Sequence, residues 1–220
     1  MSPETPDERI NCEALLFDMD GTLVDSTALV ERLWSELAFR WNLVPGEVIS
    51  HAHGRPTAAT LMRFLPAEAV AEELSRFQRD ELDGVGIRAI AGAADFLHAA
   101  RGLPTALVTS ASRRLATHRM EVAQIGMPSV VVTADDVQHG KPSPDPFLLA
   151  ADALGVQPAD CLVFEDSDTG LTAAAAAGMR SVVVGANRSS IAQQSVVIPE
   201  FSGLGIRSLS DGSFAVVTGG

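Results

Sequence analysis

Five short, apolar, β-rich runs recur along the chain: Ala14–Phe17, Thr105–Val108, Val130–Thr133, Cys161–Phe164 and Ser181–Val184. None alternates apolar with polar residues, as a strand with one wet face does; an uninterrupted apolar strand is covered on both faces. From the second run onward, helical segments separate them. Ser112–Ile125 opens on a Ser cap and ends at Gly126. Pro144–Leu154 carries prolines in its first turn and stops at Gly155, and the alanine-rich Thr169–Ala177 stops at Gly178. Strand alternating with helix predicts an α/β fold, a Rossmann-like, doubly wound parallel sheet.

The first run breaks the pattern. Between it and the second lie about eighty residues that read as helix throughout. In Ser26–Trp41 the apolar Leu29, Val30, Leu33, Leu37 and Trp41 share a face, and Ala67–Leu82 repeats this with Val70, Leu74 and Phe77. This is longer than one crossover, so residues 26–85 are expected to form an inserted α-helical domain. The α/β core is then built from 11–25 and 86–220, with Gly84 and Gly86 at the return hinge. Phe214–Thr218 adds a short last strand.

A chain of 220 residues with 46% hydrophobic content can bury a substantial core. Its formal net charge of -12 argues against a nucleic-acid-binding surface, which needs a basic patch. An acidic protein can still bind a phosphate where a cation and local donors mask the charge. The two cysteines, Cys12 and Cys161, each open an apolar run and read as buried free thiols. Met1 to Asn11 is polar and acidic, with no apolar leader, and no stretch has the length to cross a bilayer. The expectation is a cytoplasmic protein, a monomer or weak dimer, without membrane or nucleic-acid partners.

In open α/β sheets, ligands bind beyond the carboxyl ends of the strands. Asp18-Met-Asp20-Gly21-Thr22 follows the first run, Thr109-Ser110 the second, and Glu165-Asp166 the fourth; a loop after the third leads to Lys141-Pro142. Each has a plain structural alternative. Asp-Gly makes turns, Thr and Ser cap helices, a Gly-Lys-Pro lysine is solvated, and Glu-Asp is an exposed acidic turn. Four such groups converging on one crevice, in this order, favour phosphate chemistry.

These motifs resemble those of the haloacid dehalogenase superfamily over nearly the whole chain. Asp18-Met-Asp-Gly-Thr-Leu-Val-Asp-Ser26 is similar to its first motif, Thr109-Ser110 to the second, Lys141-Pro-Ser-Pro-Asp-Pro146 to the third and Phe164-Glu-Asp-Ser-Asp-Thr-Gly170 to the fourth. The inserted segment resembles the small helical cap of the branch containing sugar phosphatases and β-phosphoglucomutase. The resemblance implies a Mg²⁺-dependent phosphatase for a small phosphorylated metabolite, a sugar or polyol phosphate. Asp18 is the implied nucleophile, and a carboxylate needs no activating base. Asp20 is the implied acid and base. The metal would be held by Asp18, the Asp20 carbonyl and Asp166, with Glu165 assisting. Lys141, Thr109, Ser110, Thr22 and the backbone near Gly21 would hold the phosphoryl oxygens.

Departures from the family's branches narrow this. Dehalogenases lack the second aspartate, present here as Asp20. Phosphonoacetaldehyde hydrolases need a cap lysine, and residues 26–85 contain none. Where β-phosphoglucomutase-like chains place a histidine, this chain has Val30. The fragment His51-Ala-His53-Gly54-Arg55-Pro56-Thr57 resembles the substrate loop of sugar- and polyol-phosphate phosphatases, which makes His53 and Arg55 substrate-binding candidates; a solvated turn is the alternative. Trp34, Trp41 and Phe64 sit at helical spacing and are expected in the core. The competing functions are a phosphatase for another small ester, such as glycerol phosphate or phosphoglycolate, a mutase, or a non-catalytic phosphate-binding regulator.

Overall fold

The computed structural model describes residues 9–218 apart from 188 and 211; most of the acidic N-terminal stretch lies outside the described residues. Chain order begins with strands β1 (Arg9–Cys12), β2 (Ala14–Phe17) and β3 (Val24–Asp25). Four helices follow: α1 (Thr27–Arg40), α2 (Pro45–Ala52), α3 (Thr57–Phe64) and α4 (Ala67–Asp83). The chain then alternates through β4 (Arg88–Ala89), α5 (Ala93–Ala99), β5 (Thr105–Val108), α6 (Arg113–Val122), β6 (Val130–Val132), α7 (Asp145–Leu154), β7 (Cys161–Glu165), α8 (Asp168–Ala176) and β8 (Arg180–Val184). It closes with β9 (Val196–Ile198), β10 (Leu204–Ser208) and β11 (Phe214–Thr218).

The main sheet is parallel and six-stranded, ordered β6-β5-β2-β7-β8-β9. Central β2 pairs on both sides, Phe17 standing beside Leu107 and Phe164. Because side chains alternate across a strand, β2 feeds two cores. Ala14 and Leu16 pack with Phe147, Ala150, Ala173 and Ala174 of α7 and α8. Leu15 and Phe17 face α5 and α6 with Phe96, Ala116 and Met120. Phe17 stacks on Phe164 at 5.0 Å between centroids, and Phe96 and Phe201 surround the pair. The expected doubly wound α/β core is present.

The ends of the sheet differ from expectation. The polar N-terminal stretch contains β1, which joins β11 and β10 in a separate antiparallel sheet, and β9 extends the main sheet. The helix opening at Ser112 ends at Val122, short of Gly126, because Gln124 takes a left-handed φ of 57°. Cys12 and Cys161 are buried and free, and burial pushes their thiols up to about 12 and about 11. Among the described residues no helix is long and apolar enough to cross a membrane.

The four helices α1 to α4 leave and rejoin the core through paired strands. Val24 stands opposite Ala89 and Asp25 opposite Arg88, whose guanidinium donates to Asp25 at 2.7 Å. Their own core is built on Leu29, Leu33, Trp34 and Leu37 of α1, with Trp34 against Phe77 of α4 at 4.2 Å. The buried row of α4 is Glu73, Phe77 and Glu81, while Val70 and Leu74 are only partly covered. Burying a carboxylate requires a partner. Glu73 accepts from Arg40 at 2.8 Å and from the Trp41 indole at 3.1 Å.

Candidate active site

The carboxyl end of the main sheet opens into a cavity of about 650 Å³ between the core and the helical insertion. Asp18, Asp20, Gly21, Thr109, Ser110 and Asp166 line it from the core, and His53 and Arg55 from the insertion. Backbone bonds beyond the strand ends fix the first group. The Asp18 amide donates to the Phe164 carbonyl and the Thr109 amide to that of Val132, each at 3.0 Å. Two further expected residues stand directly behind the wall. Lys141 is buried and donates to Asp18 Oδ1 and to Glu165 Oε1, both at 2.6 Å. Glu165 accepts at its other oxygen from the amides of Asp166 and Ser167 and from the Ser167 hydroxyl.

Gly21 is required sterically. It has φ 86°, and a Cβ there would lie 2.1 Å from Asp166 Oδ2. Its amide, however, donates to the Val24 carbonyl at 2.8 Å, so the turn itself uses the donor that a phosphate was expected to take. Thr22 is also corrected. It is fully buried, absent from the cavity wall, and its hydroxyl reaches toward Asp166 Oδ1 at 3.5 Å. Thr109 Oγ1 accepts from the Ala111 amide, while Ser110 Oγ donates across the cavity to the Gly54 carbonyl at 3.1 Å.

The charge balance favours a cation. Ligand oxygens of Asp18, Glu165 and Asp166 lie within 4.8 Å of one another. Burial pushes Asp18 up to about 7, with Lys141 opposing and Glu165 adding to the rise. Burial, then Glu165 and Asp18, raise Asp166 well above the usual carboxylate range. Burial opposes the charge on Lys141, but Asp18 and Glu165 outweigh it and hold the ammonium protonated. Three carboxylates against one ammonium leave an excess of negative charge. Protons or a divalent cation must offset it, and an all-oxygen set suits a hard cation.

A family model for haloacid dehalogenase-like hydrolases matches residues 12–178, which include every motif of this site. The chain belongs to that family. Hexitol phosphatase A of Escherichia coli is 40% identical over 183 residues, covering 80% of this chain and 85% of that protein. A fructose-1-phosphate phosphatase of the same organism is 34% identical, covering 77% and 95%. Among solved structures, CbbY from Rhodobacter sphaeroides in complex with phosphate superposes with a TM-score of 0.71 at 26% identity, covering 87% of this chain and 95% of that one.

Within this haloacid dehalogenase-like frame, several residues had escaped the sequence reading. Arg119 of α6 is buried at 3% exposure, donates to Asp20 Oδ2 at 2.6 Å and to Glu81 Oε1 at 2.8 Å, and its Nε has no partner among the described residues. Ser26 donates to the other Asp20 oxygen at 2.6 Å. Asn187 donates to the Asp166 carbonyl at 2.8 Å. The helical period carried a signal for two of them. Arg119 falls four residues after Leu115 on the covered face of α6, and Glu81 four after Phe77. Trp34 belongs to the core as expected and also lines the cavity. Val30 lines it too.

His53 and Arg55 reach the cavity through a loop docked on the core by its backbone. The Thr169 hydroxyl donates to the His53 carbonyl at 3.4 Å, and Ser110 to that of Gly54. The Arg55 guanidinium donates back to the His51 carbonyl at 2.8 Å, closing the end of α2.

Proposed function

We propose that this haloacid dehalogenase-like hydrolase is a Mg²⁺-dependent phosphatase for sugar or polyol phosphates that works through an aspartyl-phosphate on Asp18. One observation carries the reading: the Asp18 carboxylate, buried at a central strand end and bonded to Lys141, faces a cavity whose opposite wall is the helical insertion. The names of the relatives support the substrate class. Asp18, Asp166 and the Asp20 carbonyl would hold Mg²⁺, with Glu165 behind them. Bound there, the ion would neutralise charge on the phosphoryl oxygens.

The chain's own residues then do the following. Lys141 orients Asp18, whose free oxygen attacks phosphorus as the bond to the leaving oxygen breaks. Asp20 gives that oxygen its proton. Water next attacks the aspartyl-phosphate, Asp20 takes the proton, the phosphorus bond to Asp18 breaks, and inorganic phosphate leaves. Residues 26–85 act as a cap, and its docked loop places His53 and Arg55 near the leaving group and excludes water.

The test is phosphate release from a panel of sugar, polyol and nucleotide phosphates, with Mg²⁺, with Ca²⁺, and after metal stripping. Turnover should need Mg²⁺ and be inhibited by Ca²⁺, whose looser coordination lets Asp18 bind through both oxygens. Asp18→Asn is nearly isosteric; it should keep the fold, abolish turnover and trap no acid-stable phosphoenzyme. Unchanged kcat in that variant would remove the covalent mechanism.

A further inference from the structure

The side chain of Asp20 is gripped at both oxygens, and each grip leads to one of the two places where the chain crosses between core and helical insertion. Ser26, which donates to Oδ1, is the residue between β3 and α1. Arg119, which donates to Oδ2, also donates to Glu81, two residues before the end of α4 and just ahead of the return crossing. A buried ion pair that served only to stabilise α4 against α6 would need no third member. This one has a third member, and it is a cavity-lining carboxylate still 30% exposed.

From this arrangement we infer that Arg119 is a positioning residue for Asp20, and that Glu81 ties the orientation of Asp20 to the placement of the helical insertion. The inference rests on the acid–base role proposed for Asp20. A guanidinium is a planar fork whose two ends address different acceptors at fixed angles, so the direction of one bond constrains the other. Rotation of α4 at its hinge would move Glu81, turn the Arg119 fork and redirect Asp20 Oδ2. With Ser26 at the other hinge, an open insertion leaves Asp20 misaligned and a docked one aims it. The geometry suits an acid–base group that must meet a leaving oxygen first and a water second, both only while the cavity is closed.

The test is a double-mutant comparison in the full chain, read as kcat and KM on the sugar phosphate turned over fastest in the panel above. Glu81→Met and Arg119→Met are combined, so that neither buried charge is left without its partner. Misaligning a proton-transfer group by about 1 Å costs on the order of 10²-fold, so kcat should fall at least about 10-fold while KM stays within about 2-fold. In an Asp20→Asn background the same two substitutions should change kcat by less than about 2-fold, because the group they position is gone. Losses that multiply with that of Asp20→Asn, or an unchanged kcat with only a lower melting temperature, would overturn the inference. If Asp20→Asn itself leaves kcat intact, the acid–base reading fails, and that failure is visible separately. Should the paired variant not fold, Arg119→Lys and Glu81→Gln, which retain polar side chains of similar length but lose the fork and the charge it meets, allow the same comparison.

Discussion

Lys141 is the chain's only lysine, and its ammonium is the sole positive charge within bonding distance of both Asp18 and Glu165 among the described residues. Lys141→Met keeps the alkyl stem, and with it the packing near the Phe147 ring, over which the ammonium now sits at 5.1 Å. The substitution therefore isolates the charge. Removing one partner from a buried ion pair costs about 3–5 kcal/mol, because the remaining charge is left uncompensated. In a chain of this size each kcal/mol lowers Tm by about 2–4 °C, so metal-free Lys141→Met should melt roughly 6–20 °C lower at pH 8. The sign with pH follows from the same charges. Without Lys141 the folded-state pKa of Asp18, already about 7, rises further above its unfolded value. The folded variant then binds protons that the unfolded chain releases, so its stability falls as pH rises through 7 and recovers as pH drops toward 5. Thermal and guanidinium unfolding of both proteins in EDTA between pH 5 and 8 would measure this. A deficit below about 1 kcal/mol at pH 8, or one independent of pH, would refute the charge balance drawn for the site. Turnover should fall about 10²-fold or more even with Mg²⁺ restored, since Asp18 loses the donor that orients it.

Other outcomes follow from the same geometry. Metal binding must displace protons from Asp18 and Asp166, so Mg²⁺ affinity should tighten as pH rises from 6 to 8, with proton release on binding; calorimetry in buffers of different ionisation enthalpy reads both, and a pH-independent affinity would contradict the assignment. Arg55→Ala should lower kcat/KM for the best sugar phosphate about 10-fold, near 1.4 kcal/mol, and affect p-nitrophenyl phosphate far less; equal losses would mean that its bond to the His51 carbonyl, and so loop folding, is what matters. Gly54→Ala should cost about 1–2 kcal/mol, because its φ is 70° and a Cβ there would lie 2.6 Å from Ser167 Oγ; KM for sugar phosphates should rise as the loop undocks, and unchanged kinetics would show that docking at Gly54 is dispensable.

The parallel strands were legible because a strand covered on both faces admits few polar residues, and β2, β5 and β7 are buried along their whole length. Strands β1 and β10 were not, since their residues are mostly exposed or half-covered; β1 also takes its partner, β11, from the far end of the chain, while β10 reaches the same strand through a local hairpin. The core motifs were legible for a related reason: chemistry sits where parallel strands end, so Asp18, Thr109, Glu165 and Asp166 could be placed by counting. What such placement cannot tell is which donors the fold has already used. The Gly21 amide and the Thr22 hydroxyl looked available for phosphate, but the turn and Asp166 had taken them. Glu81 and Arg119 escaped because charged residues are ordinarily assigned to the wet face of a helix, and the partners that make their burial tolerable lie 38 and 99 residues apart in sequence.

Lys141 and Arg119 are the buried cations among the described residues, and each bridges two carboxylates. They differ in what they bridge. Lys141 joins Asp18 to Glu165, which stand at the carboxyl ends of adjacent strands of the same sheet, so the proposed nucleophile is oriented by the core alone, whatever the insertion does. Arg119 joins Asp20 to Glu81, a core loop to an insertion helix. A nucleophile aimed before substrate arrives suffers no reorganisation at the moment of attack. An acid–base group aimed only when the insertion is docked withholds proton transfer until water is excluded. Both aspartates lie in one five-residue motif, two positions apart, yet the two buried cations tie one to the core alone and the other to the insertion as well.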